Sequence, residues 1–443
     1  MGLLKDAVRL FTGFSKLNYQ DRLKRLVKMG ALSAEDIRHL MANQNPSPSL
    51  AEHLIENVVG YFHMPLGVAA NFNIDGQDYA IPMAVEETSI VAAASKTAKW
   101  IRQHGYIETK VTGGDLIGQI QLAHINDINQ FQSTILTNKA FLIERANQDV
   151  AASMVKRGGG IHDIRVRTLA REDGGHMAVI HVHVNTCDAM GANIINQICE
   201  FLKDPIEELT NETVTMCILS NLNDQKITHA KVVMRNIDPI VGYRIQEASL
   251  FAENDPYRAA THNKGVLNGM DAMLIATGND WRAVEAGVHA YAARDGQYRA
   301  ISTWRMQGDD LVGELSAPII VGTVGGVTKL HPTAQMCLRM LGAQDANQLA
   351  RIVAAVGLVQ NLGAIRALTT VGIIQGHMKL HIANLMLSAG ATEKESPIVQ
   401  KKLEEILALR KRISLSNARE ILREVRAKTK ALKDAALNHT ETL

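Results

Sequence analysis

The alternation of apolar and polar positions between residues 113 and 220 predicts a compact domain with its own order of elements. Segments with a helical period separate runs of strand character, and together they form the order βαββαβ. Strands are predicted at 115–125, 161–169, 177–186 and 213–220, and helices at 130–155 and 190–203. This order is that of ferredoxin-like domains. We therefore expect residues 113–220 to form a small domain inserted into a larger one.

The flanking residues carry the patterns of a larger mixed α/β domain. Ser33-Ala34-Glu35-Asp36 resembles a capping box that opens a short helix. Residues 71–82 predict a β-hairpin that turns at Asp75-Gly76, because this dipeptide suits a two-residue turn. An alanine-rich helix is expected over about 89–102, and mixed α/β patterns resume over 221–375.

The C-terminal residues have a different composition. After Pro397 the chain is rich in Lys, Glu, Leu and Arg with helical periodicity, and Ser396-Pro397 and Ser416-Asn417 suit helix starts. The predicted fold class is therefore α+β. It combines a large mixed α/β domain from residues 1–112 and 221–376, the inserted ferredoxin-like domain, and a small helical appendage at 377–443.

The most informative segment is 261–282. Its pattern predicts that Lys264 lies in a glycine-punctuated loop, that residues 272–276 form a strand, and that a helix covers 281–293. Such an arrangement holds the ammonium of Lys264 and the carboxylate of Asp280 at the two ends of a rigid strand, where they can stabilise a developing oxyanion and tune a neighbouring acid. A structural ion pair with a helix N-cap at Asp280 explains these residues equally well.

Composition and charge exclude several classes of function. The net charge is +2 and aromatic residues make up only 4% of the chain, so neither a nucleic-acid surface nor a base-stacking platform is indicated. None of the four cysteines forms a CxxC pair, which argues against a zinc or redox motif. We find no signal peptide and no uncharged run long enough to span a membrane. A cytoplasmic protein without a membrane partner is expected.

Several standard catalytic motifs are missing. The chain lacks GxGxxG, GxxxxGK[ST] and GxSxG, which disfavours a standard Rossmann site, a P-loop and an α/β-hydrolase. His377 and His381 stand four residues apart, but Met378 occupies the position where a zincin needs glutamate. No metal site is therefore expected, and a single functional histidine is the better interpretation.

Three weaker motifs each allow two interpretations. The turn from Asp188 to Asn193 joins a predicted strand to a helix, so it suits either a phosphate-containing ligand or an ordinary N-cap. Arg157-Gly158-Gly159-Gly160 is either an anion-binding nest or a flexible loop. Glu86-Glu87 precedes the alanine-rich helix, where adjacent carboxylates usually complement the helix dipole.

Five motifs in one order are far more specific than any one of them. They are Glu56-Asn57-Val58-Val59-Gly60, Pro82-Met83-Ala84-Val85-Glu86-Glu87-Thr88-Ser89, Asp188-Ala189-Met190-Gly191, the block from Lys264 to Asp280, and Gln375-Gly376-His377-Met378. Over about residues 14–430 the chain closely resembles 3-hydroxy-3-methylglutaryl-CoA (HMG-CoA) reductase of the bacterial class II type. The resemblance implies the interconversion of HMG-CoA and mevalonate plus free CoA by two successive hydride transfers with a nicotinamide coenzyme.

The resemblance also implies roles for four catalytic residues. Glu87 matches the family's catalytic acid, and Lys264 matches the lysine that stabilises the carbonyl oxygen. Asp280 matches the aspartate that bridges this lysine and glutamate, and His377 matches the histidine that protonates the departing CoA thiolate. A developing alkoxide requires a nearby cation, so the role of Lys264 is chemically sound.

Binding residues carry over in the same way. The positions that match substrate contacts are Ser89, Asn221, Arg258, Asn268 and Gln360, and those that match the dinucleotide-binding signature are Asp188, Met190, Gly191 and Asn193. In this family the inserted domain binds NAD(P), the large domain binds substrate and dimerises, and the C-terminal appendage is a flap that carries the histidine at its hinge. A homodimer or a higher homo-oligomer is therefore expected.

Two positions bear on how closely the family pattern is followed. Thr88 stands where many class II proteins have proline. Asp149 aligns with an acidic residue that binds the ribose 2′-hydroxyl, and a carboxylate there favours NAD over NADP. An exposed helical aspartate without a role is the alternative for Asp149. We expect NAD as the coenzyme, with NADP as the alternative.

Two functions of other classes fit parts of the sequence. A CoA-thioester hydrolase or acyltransferase on a related scaffold would use CoA without a change in coenzyme absorbance. A non-catalytic protein that binds CoA or a nucleotide is the other alternative, but it would be free to lose Glu87, Lys264, Asp280 and His377, and all four are present.

Overall fold

A computed structural model describes residues 4–42, 48–370, 373–410 and 412–440, with only the backbone for residues 48, 373–380, 410, 430 and 432–440. The helices are α1 Ala7–Phe11, α2 Tyr19–Met29, α3 Ala34–Met41, α4 Pro48–Glu52, α5 Ile90–His104, α6 Ile128–Thr137, α7 Lys139–Asp149, α8 Ala152–Val155, α9 Ala192–Thr210, α10 Pro239–Asn254, α11 Pro256–Ala276, α12 Trp281–Ala292, α13 Gly326–Leu330, α14 Pro332–Leu341, α15 Ala346–Thr369, α16 Ile373–Ala389, α17 Ser396–Arg410 and α18 Leu415–Thr440. The chain divides into two compact units, one of residues 1–86 and 90–369 and one of residues 87–89 and 370–443.

The strands form three sheets in the first unit. They are β1 Leu66–Ile74, β2 Gln77–Ala84, β3 Gly105–Gly113, β4 Leu116–Ile125, β5 Gly160–Ala170, β6 His176–Asn185, β7 Met216–Leu219, β8 Lys226–Met234, β9 Ser302–Gln307 and β10 Asp310–Ala317. The sheets have the strand orders β1-β2, β3-β8-β10-β9 and β5-β6-β4-β7. The mixture of helices and sheets confirms the predicted α+β class.

The predicted hairpin turns where the sequence indicates. Strands β1 and β2 are antiparallel, and Ile74 pairs with Gln77 across the turn. Asp75 and Gly76 both have positive φ, at 51° and 79°. A two-residue turn of this kind requires positive φ at both central positions, which aspartate tolerates and glycine favours. The hairpin therefore follows from local sequence alone.

The four-stranded sheet β3-β8-β10-β9 carries the main hydrophobic core. Helices α10, α11 and α15 contact its strands or one another, and Trp304 of β9 is completely buried at the centre. A Cβ atom on Gly313 of β10 would lie 2.2 Å from the Trp304 ring, so only glycine leaves room for the indole. Among the described helices only α15 is long and apolar enough to cross a membrane, and 67% of its most apolar window is buried inside the protein, as expected of a core helix.

The third sheet belongs to the segment predicted to be ferredoxin-like. Its strand order β5-β6-β4-β7 comes from a β-α-β-β-α-β chain order, and each neighbouring pair is antiparallel. Helices α6, α7 and α9 pack with it around a separate core that includes Ile120, Leu142 and Ile198. The predicted helix over 130–155 is divided into α6, α7 and α8.

The structure corrects the prediction for residues 261–282. Lys264 does not lie in a loop and residues 272–276 do not form a strand, because both belong to the continuous helix α11. Asp255 caps this helix by accepting a hydrogen bond from the backbone N–H of Arg258 at 3.1 Å. Helix α11 is buried on most of its surface, so its apolar residues show no helical period. Its glycines permit close packing, since a Cβ on Gly269 would lie 2.9 Å from the Cβ of Gln360.

In the described part of the second unit, three helices form a core of their own. Helices α16, α17 and α18 contact one another through a cluster that includes Ile382, Val399 and Leu422. Helix α17 begins at Ser396 as predicted. Helix α18 begins at Leu415, one residue earlier than predicted, because Ser414 and Asn417 exchange capping hydrogen bonds.

Candidate active site

Helix α11 presents three polar side chains on one face. Lys264, Asn268 and Asp271 are spaced at i, i+4 and i+7, which places them above one another on a helix. Lys264 is exposed, whereas Asn268 and Asp271 are half-buried. The row therefore runs from a solvent-accessible ammonium to a carboxyl group beneath the surface. The three side chains share one face only because the segment is helical.

Arg258 lies in the first turn of the same helix, N-terminal to Lys264. Its side chain is half-buried, and burial lowers the pKa of its guanidinium. This guanidinium has no hydrogen-bond or ion-pair partner among the described residues. A partly desolvated cation without a counterion is costly for the protein and suits an anionic ligand, in particular a carboxylate held in bidentate fashion.

Asp280 is the N-cap of helix α12. Its Oδ1 accepts a hydrogen bond from the backbone N–H of Ala283 at 3.1 Å and lies 3.8 Å from Nε of Arg282. The side chain is 42% exposed, so the capping role leaves part of the carboxylate accessible. The preceding turn is rigid because the Asn279 side chain donates to Thr277 and accepts from the backbone N–H of Gly322. The capping role and a catalytic role are therefore compatible.

A buried polar network supports α11 from behind. His262 is 1% exposed, and its Nε2 lies 2.7 Å from Oγ of Ser302. Ser302 donates in turn to Oδ1 of Asn361 at 3.1 Å, and the Trp304 indole donates to the same oxygen at 2.9 Å. Burial lowers the pKa of His262 to about 4, so the imidazole is neutral near pH 7. This network fixes the register of α11 against β9 and α15.

Gln360 borders the same face from helix α15. It is 5% exposed, and its Oε1 is buried without a hydrogen-bond partner among the described residues. A buried amide oxygen left without a donor is uncommon and calls for an explanation. A ligand that donates a hydrogen bond at this point would supply one.

The last residue of the row on α11, Asp271, is influenced by a carboxyl group of helix α12. Burial, reinforced by the charge of Glu285 on α12, raises the pKa of Asp271 to about 8. Lys264 acts in the opposite direction. Oδ1 of Asp271 is buried without a hydrogen-bond partner among the described residues. Sequence reasoning missed Asp271, although a helical interpretation of 256–276 would have placed it on the face of Lys264.

The predicted coenzyme signature lies between β6 and α9. Gly191 caps α9 with φ 95°, and a Cβ at this position would lie 2.6 Å from Cγ2 of Thr186, so only glycine fits. Asp188 does not cap α9, because its Oδ1 accepts from the backbone N–H of Ala346 at the start of α15 at 3.0 Å. Met190 is half-buried and Asn193 is exposed.

The glycine loop after Arg157 lies beside this signature. The Cys187 thiol lies 3.8 Å from the carbonyl oxygen of Arg157, and a Cβ on Gly159 would lie 2.5 Å from the carbonyl oxygen of Asn185. Asn147 of α7 exchanges hydrogen bonds with the backbone of Ile161, at 2.8 and 3.0 Å. These contacts bring the glycine loop after Arg157 and the coenzyme signature together at one edge of the sheet, although the two motifs are separated in the sequence.

Asp149 is the last residue of helix α7. It is exposed, and its carboxylate has no hydrogen-bond or ion-pair partner in the part of the chain that the structure describes. A negative charge at a helix C-terminus is unfavourable by about 0.3–1 kcal/mol. Local stability therefore does not explain an aspartate here.

A narrow cleft connects the coenzyme signature to the region of Asp280. Its lining includes Met190 and Ala192 from the signature, Asn221 after β7, Ala283 of α12 and Ile320. Asn221 is exposed, and a Cβ on Gly287 of α12 would lie 2.6 Å from its carbonyl oxygen. The predicted substrate contact Asn221 and the predicted coenzyme contact Met190 therefore share one cleft.

Glu87 and Ser89 belong to the other unit. Glu87 is exposed. Ser89 has φ 77°, and its Oγ is buried without a hydrogen-bond partner among the described residues. Positive φ in a non-glycine residue together with an unsatisfied hydroxyl is typical of functional sites. His377 lies in α16, but its side chain is outside the described part of the structure.

Comparisons with known proteins identify the family. The family model described as hydroxymethylglutaryl-coenzyme A reductase matches residues 18–382. A protein named 3-hydroxy-3-methylglutaryl-coenzyme A reductase from Archaeoglobus fulgidus is 43% identical over 420 residues, which cover 94% of each chain. A probable enzyme of the same name from Borreliella burgdorferi is 29% identical, over 86% of this chain and 88% of its own.

Solved structures agree with the sequence comparisons. A 3-hydroxy-3-methylglutaryl-CoA reductase from Streptococcus pneumoniae is 40% identical and aligns with a TM-score of 0.79 over 94% of this chain and 99% of its own. The class II enzyme of that organism, bound to NADPH in open conformations, aligns with a TM-score of 0.78 over 81% of this chain and 100% of its own. The chain therefore belongs to the hydroxymethylglutaryl-CoA reductase family, in its class II branch, and is an oxidoreductase that interconverts HMG-CoA with mevalonate and CoA by means of a nicotinamide coenzyme.

Proposed function

We propose that Lys264 is the group that stabilises the substrate oxygen in this reaction. The observation that carries the proposal is helix α11, on which the exposed ammonium of Lys264 stands one turn before Asn268. The same helix carries the half-buried guanidinium of Arg258, which has no ion-pair partner among the described residues. Hydride addition to a thioester or aldehyde carbonyl places negative charge on oxygen. A cation held at that oxygen stabilises the charge in the transition state more than in the substrate.

The remaining catalytic roles follow from the motifs. We assign Glu87 as the acid, Asp280 as the carboxylate that links it electrostatically to Lys264, and His377 as the proton donor to the departing CoA thiolate. The accessible fraction of the Asp280 carboxylate supports its role. A thiolate that leaves as a thiol is a poorer nucleophile for the reverse attack, so its protonation favours the release of CoA.

Five residues are proposed to hold the substrate. Arg258 is the partner for the carboxylate of the hydroxymethylglutaryl group, because its guanidinium is half-buried and has no carboxylate beside it among the described residues. The unsatisfied Oγ of Ser89 and Oε1 of Gln360 suit hydroxyl or carboxyl groups of a bound substrate. Asn268 continues the row on α11, and Asn221 lines the cleft that leads towards the coenzyme signature.

The coenzyme is proposed to be NAD. The nicotinamide ring, when bound, supplies or accepts the hydride. Met190, Gly191 and Asn193 border the cleft or the start of α9, and Asp188 anchors this segment to helix α15. The carboxylate of Asp149, which has no partner among the residues that the structure describes, suits hydrogen bonds from a ribose diol and repels a 2′-phosphate. NADP is the alternative, and the pneumococcal relative was solved with NADPH.

We further propose that three parts of the chain have separate roles. Residues 113–220 bind the coenzyme, residues 1–112 and 221–376 bind the substrate and dimerise, and residues 377–443 form the flap that carries His377. Large exposed apolar side chains favour a homodimer, because Val59 and Phe62 are 104% and 91% exposed and Tyr257 is 87% exposed. The protein is proposed to work in the cytoplasm.

The site assignment is tested with Lys264→Ala, Arg258→Ala and a matched surface variant, Lys110→Ala on strand β3. Lys264→Ala is expected to reduce kcat sharply, whereas Arg258→Ala is expected mainly to raise KM for HMG-CoA. Lys110 is exposed and distant in sequence from the site, so its variant reports on lost charge alone. Normal kinetics in the Lys264 variant would refute the role of Lys264. The proposed dimer is tested separately by size-exclusion chromatography with light scattering.

A further inference from the structure

The loop of residues 220–225, between β7 and β8, borders the narrow cleft described above. Three of its residues line the cleft, among them the proposed substrate contact Asn221. The lining also includes Met190 of the coenzyme signature and Ala283 in the first turn of α12. Hydride transfer requires its donor and acceptor atoms to lie about 3–3.5 Å apart, so a loop that borders both proposed binding sites has to be placed precisely.

Asn223 fastens this loop to the sheet that underlies the coenzyme signature. Its side chain is 4% exposed, and its Oδ1 accepts a hydrogen bond from the backbone N–H of Ile117 on β4 at 2.8 Å. Its Nδ2 donates to the carbonyl oxygens of Ser220 at 3.0 Å and Asn221 at 3.4 Å. Only a side-chain amide both accepts and donates in this way, since an aspartate of the same shape has no hydrogen to donate when it is ionised.

Further hydrogen bonds hold the residues on either side of Asn221. The backbone N–H of Ser220 donates to the carbonyl oxygen of Ile117 at 2.8 Å, and the Ser220 hydroxyl accepts from the backbone N–H of Leu222 at 3.1 Å. The side chain of Asn221 stays exposed. The place of this side chain is therefore determined by the hydrogen bonds of its neighbours.

Gly287 of helix α12 meets the same loop from the large domain. It is buried, and a Cβ at this position would lie 2.6 Å from the carbonyl oxygen of Asn221. Only glycine therefore allows the helix to approach the loop this closely. Asp280 caps the same helix by accepting from the backbone N–H of Ala283. The loop thus contacts both the sheet of the coenzyme-binding segment and the helix that begins next to Asp280.

We propose that Asn223 and Gly287 are positioning residues that fix the loop of residues 220–225 between β4 and α12, and with it the placement of substrate against coenzyme for hydride transfer. Asn223 holds the loop to β4, and Gly287 lets α12 close against the backbone of Asn221. A change at either residue displaces Asn221 without removing its side chain. Misplacement by about 1 Å can slow a reaction by about 10²-fold. This inference rests on the roles proposed above for Asn221 and Asp280.

The test compares the wild-type chain with Asn223→Asp and Gly287→Ala. Asn223→Asp keeps the acceptor for Ile117 but loses both donated hydrogen bonds, and Gly287→Ala pushes the loop from the opposite side. The measurements are kcat, KM for HMG-CoA and the isotope effect on kcat with coenzyme deuterated at both positions of C4 of the nicotinamide. We expect each variant to lower kcat about tenfold and to change KM by less than about twofold. The isotope effect should exceed that of the wild type, because hydride transfer then limits the rate more fully.

Asn73→Asp is the matched control. Asn73 is half-buried in the hairpin of β1 and β2, where its Nδ2 donates to Oδ1 of Asp78 at 2.8 Å. The substitution also replaces a donating amide by a carboxylate, but in a part of the fold that does not line the cleft. It should lower the urea midpoint and leave both kcat and the isotope effect unchanged.

Asn221→Ala separates failure of this inference from failure of the proposed site. If Asn221→Ala is impaired while Asn223→Asp and Gly287→Ala keep the kcat and isotope effect of the wild type, the positioning role is overturned and the site assignment stands. If Asn221→Ala also has normal kinetics, the role proposed for Asn221 is overturned together with this inference. Gly287→Ala leaves the side chain of Asn223 intact, so it decides the question should Asn223→Asp fail to fold.

Discussion

His262 provides a quantitative test of the network behind the catalytic helix. Burial holds its pKa at about 4, against an ordinary value of 6.5. The unfolded chain therefore binds a proton at this residue between pH 6.5 and pH 4, whereas the folded chain does not. The free energy of unfolding must fall as the pH falls through this range, and the contribution of neutral His262 is fully present only above pH 6.5. The loss is about 2 kcal/mol by pH 5 and about 3 kcal/mol by pH 4.

The perturbation is His262→Gln, which keeps a polar contact to Ser302 but does not titrate. The substitution should cost about 1–2 kcal/mol at pH 7.5, since one buried hydrogen bond becomes less well formed. Below pH 6.5 the advantage of the wild type in free energy of unfolding should shrink by the amounts given above, until the variant is the more stable protein near pH 4. Urea unfolding at half-unit pH steps measures both, with exposed His176→Gln as the matched control. A stability difference that stays constant from pH 7.5 to pH 4.5 would refute a neutral, buried His262.

Four further predictions concern the reaction and the stability contributed by Asp271. Lys264→Ala should lower kcat by about 10²- to 10³-fold in steady-state assays without loss of folding, because the side chain is exposed and its charge acts in the transition state; circular dichroism provides the folding control. Asp149→Ala should shift the ratio of kcat/KM for NADH and NADPH towards NADPH, and an unchanged ratio would make Asp149 an ordinary surface residue. His377→Gln should impair thioester reduction more than mevaldehyde reduction, because only the former releases CoA; equal losses would contradict its role. Asp271→Asn should raise stability by about 1–3 kcal/mol at pH 8 and by less towards pH 4, the opposite slope to that of His262, because a carboxyl group with a raised pKa loses stability as the pH rises; urea unfolding checks it.

Local sequence signals predicted the parts of the fold that depend on neighbouring residues. The turn at Asp75-Gly76 and the start of α17 at Ser396 follow from backbone preferences over a few positions, and both are confirmed. The strand and helix order of residues 113–220 was also predicted correctly, because its sheet has one face packed against helices and its strands keep a recognisable alternation. The same reasoning merged α6, α7 and α8 into one helix, because they are separated only by Asn138 and by Val150-Ala151.

The segment around Lys264 shows where pattern reasoning fails. Helix α11 packs against α10, α12, α15 and β2, so buried positions lie on most sides of the helix and no period distinguishes a helix from a strand. The glycines of this segment suggested a loop. In the structure Gly269 instead lies within the helix, where the lack of a side chain lets Gln360 of α15 pack closely. Such glycines can be understood only once the partner helix is known.

The candidate site was predicted residue by residue only through the resemblance to a family. The pattern alone left Asp280 as either an N-cap or a catalytic group, and the structure shows that the cap leaves the carboxylate partly accessible. The influence of Glu285 on the pKa of Asp271 could not be predicted, because it depends on how two helices face each other. Distances across a helix–helix contact are not encoded in any short motif.

The most direct measurement follows the absorbance of reduced nicotinamide with purified protein, mevalonate and CoA, and either NAD or NADP. We predict that the absorbance grows only when mevalonate and CoA are both present, and that NAD supports the faster rate. Greater activity with NADP than with NAD would contradict only the coenzyme assignment. If neither coenzyme is reduced, and HMG-CoA does not oxidise NADH or NADPH either, the chain has the fold of the family without its chemistry, and the account of its active site is wrong.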